Sequence, residues 1–379
     1  MKTPFIYLDY NASTPIDSRV VDEMLPYLTR IYGNPSSIHN QGVKAKEAVQ
    51  NARQQVANLI GANSDEIIFT SGGTEANNHA IIGTAMANKV NGNHIITSAI
   101  EHPAVTEVCK YLESRGFSIS YVDVDKEGVV KLEELKKAIT NETILISIMH
   151  ANNEIGSIQP IEEIGKLARE KGIVFHTDAS QSVGKIEAKV DQLHVDLLTI
   201  AGHKIYAPKG VGALYVRNGT KLSNLMFGAG HEQGLRPGTE NVAQIVALGK
   251  ATEISKEEFA KNMEQMKNIR DYLLEKLQSL NIKFVVNGNL LKCLPNTLNV
   301  SFKDLDANAL IYKLRNSVAL SAGSACHSGE VKLSNVVKAV LTDFDYANGT
   351  IRFSVGKSTS KKEIDEAISL FKNYFIRNL

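Results

Sequence analysis

The sequence predicts an α/β fold: a mainly parallel central sheet with helices on both faces, followed by a smaller α+β unit. Three observations predict it. Short apolar runs alternate with helix-like segments from about residue 66 to 216, the pattern of a sheet whose crossovers are helices. From about 252 to 280 the spacing changes, with Met266, Ile269, Leu273, Leu277 and Leu280 three or four residues apart. That spacing is one long amphipathic helix. Beyond it, fewer strand-like runs mix with helical ones. A chain of 379 residues is long for one ordinary domain. The expected division is a large unit over 15–255 and a small one made of 1–14 and 256–379.

The strands are read in order from their apolar runs. The large unit gives "EIIFT", "HIITS", "SISYVDV", "TILISIM", "IVFHT", "DLLTI" and "GALYV". Between most of them lie helical stretches such as "IEEIGKLAREKG". The small unit gives "IKFVV", "TLNVSF", "VALSA" and "TIRFSV", and Ser360 with Glu363 makes a capping box for a last helix. No repeat or low-complexity tract interrupts the pattern.

Composition narrows the function classes. Hydrophobic residues are 43% and charged residues 22% of the chain, ordinary for a globular protein. A net charge of +1 gives no bulk attraction to nucleic acid or to an anionic membrane, and no direct nucleic-acid binding is expected. The start, "MKTPFIYLDYNAS", turns polar too early for a signal peptide. No apolar run approaches the ~18 residues that span a bilayer. The three cysteines, Cys109, Cys293 and Cys326, are odd in number and far apart. A disulfide framework is not expected, and a reducing cytoplasm is.

In open α/β sheets, ligands bind at the carboxyl ends of the strands. Five such ends carry polar loops: "SGGTEANN", "AIEHPAV", "HANNEIG", "DASQSVG" and "AGHKIYAPKG". In the first, Gly73 and Thr74 open a helix, where free N–H groups favour an anion. Taken singly, Thr74 is a helix cap and His102 a core histidine. Asp178 and Lys204 taken singly are a buried ion pair, or the lysine is simply solvated. Together on one edge they read differently. A lysine amine, a carboxylate for a pyridine nitrogen and a phosphate cradle are what pyridoxal phosphate requires. Nucleotide motifs fit less well. "GAGHEQG" has Gln233 where a third glycine is needed, and there is no GxxxxGK[ST]. No metal site is expected.

These motifs together resemble the cysteine desulfurase family, among the fold-type I, class V aminotransferase-like enzymes. The likeness covers "YLDYNASTP", "YGNPSSIH", "FTSGGTEANN", "EHPAV", "HANNEIGSIQP", "HTDASQSVGK", "GHKIYAPKGVGALYVR", "GLRPGTENV", "SAGSACHSG" and "IRFSVG". The resemblance implies a fold-type I transferase that uses pyridoxal 5′-phosphate. Lys204 would carry the Schiff base and Asp178 would pair with the ring nitrogen. Gln181 and Asn153 would address the ring hydroxyl and the substrate side. His102 would stack on the ring and act as acid and base. Gly73, Thr74 and His203 would hold the phosphate. Thr239 would reach the phosphate of a neighbouring subunit, implying a homodimer. Asn34 and Arg352 would bind the carboxylate of L-cysteine, and Cys326 would take its sulfur for an acceptor protein.

One position departs from the family pattern. Ala201 stands three residues before the lysine, where many members carry a serine that binds phosphate. This leans toward branches that include selenocysteine lyases, so L-selenocysteine is the alternative substrate. A catalytically idle scaffold is the third reading, and the intact Lys204, Asp178, His102 and Cys326 oppose it. An ordinary thiol has a pKa of about 8.5, so Cys326 offers some thiolate at neutral pH without special help. The small residues around it, with Gly323 and Gly329, suit a loop that moves. Cys109 and Cys293 sit in or near apolar segments and are expected to be structural.

Overall fold

The computed structural model describes residues 5–327, 330–341 and 343–378. Strand β1 (Ile6–Tyr7) comes first. The next seven strands form the large sheet: β2 (Ile67–Thr70), β3 (His94–Ser98), β4 (Ser118–Val122), β5 (Thr143–Ser147), β6 (Val174–Asp178), β7 (Leu197–Ala201) and β8 (Gly212–Val216). Their order is β2-β8-β7-β6-β5-β3-β4. All neighbours from β7 to β4 are parallel, while β8 runs antiparallel to both β2 and β7. The predicted parallel sheet is therefore present, with one reversed strand inside it. Strands β5, β6 and β7 are almost wholly buried, which is why they read as continuous apolar runs.

Helices cover both faces. On one, Phe69, Ile146, Phe175 and Leu198 pack with Val49, Val56 and Ile60 of helix Asn40–Ile60 and Leu248 of helix Val242–Glu257. On the other, Ile95 and Leu145 pack with Ile81 of helix Gly73–Asn88 and Val105 of helix Pro103–Glu113.

The remaining strands are β9 (Phe284–Val286), β10 (Thr297–Phe302), β11 (Val318–Ala319), β12 (Ser321–Ala322), β13 (Ser324–His327), β14 (Glu330–Leu333) and β15 (Thr350–Ser354). A four-stranded sheet has the order β12-β15-β10-β9, and β1 pairs with β11. A second apolar core joins Ile6 and Leu8 to Met266, Ile269, Leu273 and Leu277, and to Phe302, Phe353 and Phe371. The final helix, Lys361–Asn378, carries the expected box. Ser360 N–H donates to Glu363 at 2.8 Å, and Glu363 N–H returns to Ser360 Oγ at 3.3 Å.

The single long helix expected around 252–280 is two. Helix Val242–Glu257 ends and helix Phe259–Gln278 begins across Glu258, whose backbone (φ −96°, ψ 7°) leaves the helix. There the Glu258 carboxylate accepts from Arg19 at 2.7 Å and lies 3.5 Å from Lys357. The first helix buries Ile245 and Leu248 in the large core, and the second buries Leu273 and Leu277 in the other. One apolar period thus serves two cores.

Candidate functional site

A cleft of about 590 Å³ opens beside the carboxyl ends of the large sheet, a size usual for a bound small molecule. Its first wall is the start of helix Gly73–Asn88. Gly72 holds φ 150° and ψ −178° at the N-cap, no side chain caps the helix, and a Cβ at Gly72 would meet nothing within 4 Å. Only glycine adopts that backbone readily. The first-turn N–H groups of Gly73 and Thr74 therefore face the cleft uncapped, ready for an anion. Ser180 stands on the same wall, its Oγ 3.0 Å from the point where a Gly73 Cβ would lie.

The second wall is the end of β6. Asp178 is buried, and its Oδ2 accepts from Asn77 Nδ2 at 2.6 Å while Oδ1 accepts from Ser180 N–H at 2.9 Å. Both oxygens are held, so the carboxylate has one orientation. Gln181 follows on the turn. Lys204 closes the turn after β7, where Gly202–Lys204 is a single 3₁₀ turn. Its Nζ donates to the backbone oxygens of Asn11 and Ala12, the latter at 2.9 Å. Burial, then the Arg352 charge, brings its amine down to about 8. His203, beside it, is pushed down to about 4 by burial and the nearby lysines, so its ring is neutral.

His102 caps helix Pro103–Glu113. Its Nδ1 accepts the N–H of Ala104 at 3.1 Å, which puts the proton of the neutral ring on Nε2. Burial, the largest influence, lowers its pKa. Asn153 lines the cleft from the loop after β5. Arg352, in β15, is buried with Nη2 on Asp9 at 2.6 Å and on Ser321 at 2.9 Å, Nη1 on the Asn153 oxygen at 2.9 Å, and Nε without a partner.

Strand pairing ties the segment that carries Cys326 to the cleft residue Arg352. Ser321 of β12 lies opposite Arg352 of β15. Cys326 is five residues on, so the chain can carry it at most ~17 Å from that pair. It lies in β13, which pairs antiparallel with β14, Cys326 opposite Val331. The expected loose loop is thus a hairpin arm over the described residues. Gly323 is not its swivel: a Cβ there would lie 2.4 Å from Thr350 Cγ2, and its N–H donates to the Thr350 oxygen at 2.9 Å. It is a packing glycine at the root of the arm. Gly329 and Ser328 lie outside the described residues. Cys109 is buried and Cys293 half-buried; loss of solvent around each thiol pushes both up to about 12, so neither is a ready thiolate.

Two predicted residues are not at the cleft. Asn34 is exposed, and its Oδ1 accepts the N–H of Ser36 at 2.9 Å to turn the chain before helix Asn40–Ile60. That turn accounts for the local backbone of "YGNPSSIH". Thr239 is also exposed and outside the cleft lining. Conversely, Asn11, Asn77 and Ser180 line the cleft without having been singled out. The clue for Asn11 was its place in "YLDYNASTP"; only the fold brings it to Lys204.

The model of the aminotransferase class-V family matches residues 6–367. The chain belongs to that family. It is 47% identical over 368 residues to the cysteine desulfurase IscS of Dictyoglomus turgidum, covering 97% of this chain and 93% of the relative. A solved NifS-like protein superposes with a TM-score of 0.92 at 37% identity, over 98% of this chain and 99% of its own. A structure of SspA in complex with cysteine superposes with a TM-score of 0.83 at 37% identity, over 94% of this chain and 100% of its own. Enzymes of this kind depend on pyridoxal phosphate. The residues present fit it, because the cradle at Gly72 is open, the helix start is uncapped, and a held carboxylate and a buried amine lie in the same cleft.

Proposed function

We infer that the chain is a pyridoxal phosphate-dependent cysteine desulfurase that makes L-alanine from L-cysteine and keeps the sulfur on Cys326 for an acceptor protein. The observation that carries this reading is the meeting of Lys204, Asp178, His102 and an open anion cradle in one cleft. The relative with bound cysteine supports the substrate. The N–H groups of Gly73 and Thr74, with His203, would hold the phosphate. Asp178 would hold the ring nitrogen, Gln181 and Asn153 the ring oxygen and substrate side, and Lys204 the reactive carbon. Bound pyridoxal phosphate supplies the electron sink that makes charge at the substrate's Cα and Cβ affordable.

The chain's own groups do the rest. Arg352 binds the substrate carboxylate, and Asp9 keeps its guanidinium in place. Lys204 Nζ takes the proton from Cα and returns one. His102 lies over the cleft and offers a proton from Nε2. Cys326 Sγ, as thiolate, bonds to the substrate's sulfur. The carbon–sulfur bond breaks with its electron pair on Cβ, which takes a proton, so alanine leaves and a persulfide stays on Cys326.

The same reading divides the chain into a cofactor-holding unit, 15–255, and a smaller unit, 1–14 with 256–379, that carries Cys326. It makes the enzyme a homodimer, with Thr239 of each copy at the phosphate end of the other's cleft. Exposed Tyr32, Ile38 and Phe227, at 78%, 98% and 88%, support a covered face there. A light-scattering mass of one chain at micromolar concentration would contradict the dimer. Free thiols suit the cytoplasm. Among the described residues, no helix is long and apolar enough to cross a membrane.

Asp178→Ala tests the assignment at the ring nitrogen. Removing the carboxylate leaves that nitrogen unprotonated, and a neutral pyridine is a poor sink. Alanine formation is expected to fall by about 10³-fold or more, with L-cysteine still bound. A single-turnover rate within tenfold of wild type would remove Asp178 from the reaction.

A further inference from the structure

Lys185 is a buried cation that the mechanism above does not use. It is 5% exposed. Among the described residues no carboxylate lies within ion-pair distance of its Nζ. A buried lysine without such a partner is costly, so its retention calls for a reason. Its Nζ donates to Gln181 Oε1 at 3.1 Å, four residues back along the turn "QSVGK". Gln181 is equally buried, and its Nε2 donates to the Asn11 oxygen at 2.9 Å. That oxygen also receives Lys204 Nζ. Lys185 therefore lies one residue behind the cleft, joined to it through the Gln181 amide.

The chemistry of the contact is directional. Burial, then the charges of Lys204 and Arg352, brings the Lys185 amine down to about 7. Charged or neutral, it keeps N–H donors for Oε1. With Oε1 drawn backward and one Nε2 hydrogen on Asn11, the second Nε2 hydrogen is left for the cleft. A donor on the far side of an amide also polarises it and strengthens its N–H groups. Gln181 is then a donor only, suited to an oxygen that carries negative charge.

We propose that Lys185 is a positioning residue that fixes the Gln181 amide as a hydrogen-bond donor toward the ring oxygen of pyridoxal phosphate. The proposal rests on the reading of the cleft as a cofactor site. It makes Lys185 part of cofactor affinity without contact to the cofactor.

The test is a double-mutant cycle on cofactor binding. Pyridoxal phosphate is titrated into the apoprotein of wild type, K185M, K185R, Q181A and Q181A/K185M. K185M keeps the apolar stem and is expected to raise the dissociation constant about tenfold, the scale of one strengthened hydrogen bond. K185R keeps a donor and is expected to stay within about twofold of wild type. In the Q181A background, K185M is expected to change affinity by less than about twofold. A full tenfold loss in that background would overturn the proposal, since the lysine would then act without Gln181; so would an unchanged K185M. The Gln181 side-chain amide resonance of the apoprotein, identified by its loss in Q181A, is expected to move in K185M, and an unmoved resonance would overturn the contact. If wild type takes up no pyridoxal phosphate, the reading of the cleft fails, while the resonance still decides whether Lys185 holds Gln181.

Discussion

Lys204→Ala is expected to lower alanine formation from L-cysteine by at least about 10³-fold, the scale of a lost general acid–base group placed at the reacting atom. Lys204 ends the turn after β7, and burial, then the Arg352 charge, brings its amine down to about 8. An amine so tuned is partly neutral at physiological pH, which a group that must take a proton needs. Lys185 does not line the cleft, and the exposed Lys209 lies at its rim, so neither replaces it. The cofactor's other holders remain, so the variant is expected to bind pyridoxal phosphate and L-cysteine. Residual turnover within tenfold of wild type, measured as alanine released, would rule out the assigned role.

Cys326→Ala separates two substrates. With L-cysteine, alanine formation is expected to fall by at least about 100-fold, because nothing attacks the substrate's sulfur. Cofactor binding is expected to be unchanged, since Cys326 lies on an arm beyond the cleft residues. With L-selenocysteine much of the activity is expected to remain. A selenol is more acidic than a thiol, so selenium leaves the carbon with less help. Alanine released from each substrate is the measurement. Equal loss on both would show that the arm is needed to organise the cleft, and not only to take sulfur.

The features legible in the sequence are those set by local pattern. Lys204 and Asp178 were read together because each sits at the end of an apolar run, and the sheet does put those ends in one cleft. The reversed strand β8 was not visible, because "GALYV" carries no mark of its direction. The break at Glu258 was missed because no glycine or proline stands there and the apolar period continues through it. Lys185 drew no notice because a lysine in "QSVGK" reads as solvated; only packing shows that it is buried. Asn34 shows its turn-forming role in the fold, where Oδ1 accepts the N–H of Ser36; a turn-forming asparagine and a substrate-binding one look the same in sequence. The hairpin β13–β14 escaped because "SACH" of β13 is small and polar, and the alternating "EVKL" of β14 is only four residues long.

The central claim is that sulfur passes through Cys326. Wild-type enzyme is given L-cysteine without an acceptor, then digested without reductant, and the peptides are weighed. The account predicts one added sulfur on the peptide that contains Cys326, formed together with one equivalent of alanine. Added sulfur on Cys109 or Cys293 instead, or a full yield of alanine with Cys326 unmodified, would contradict it.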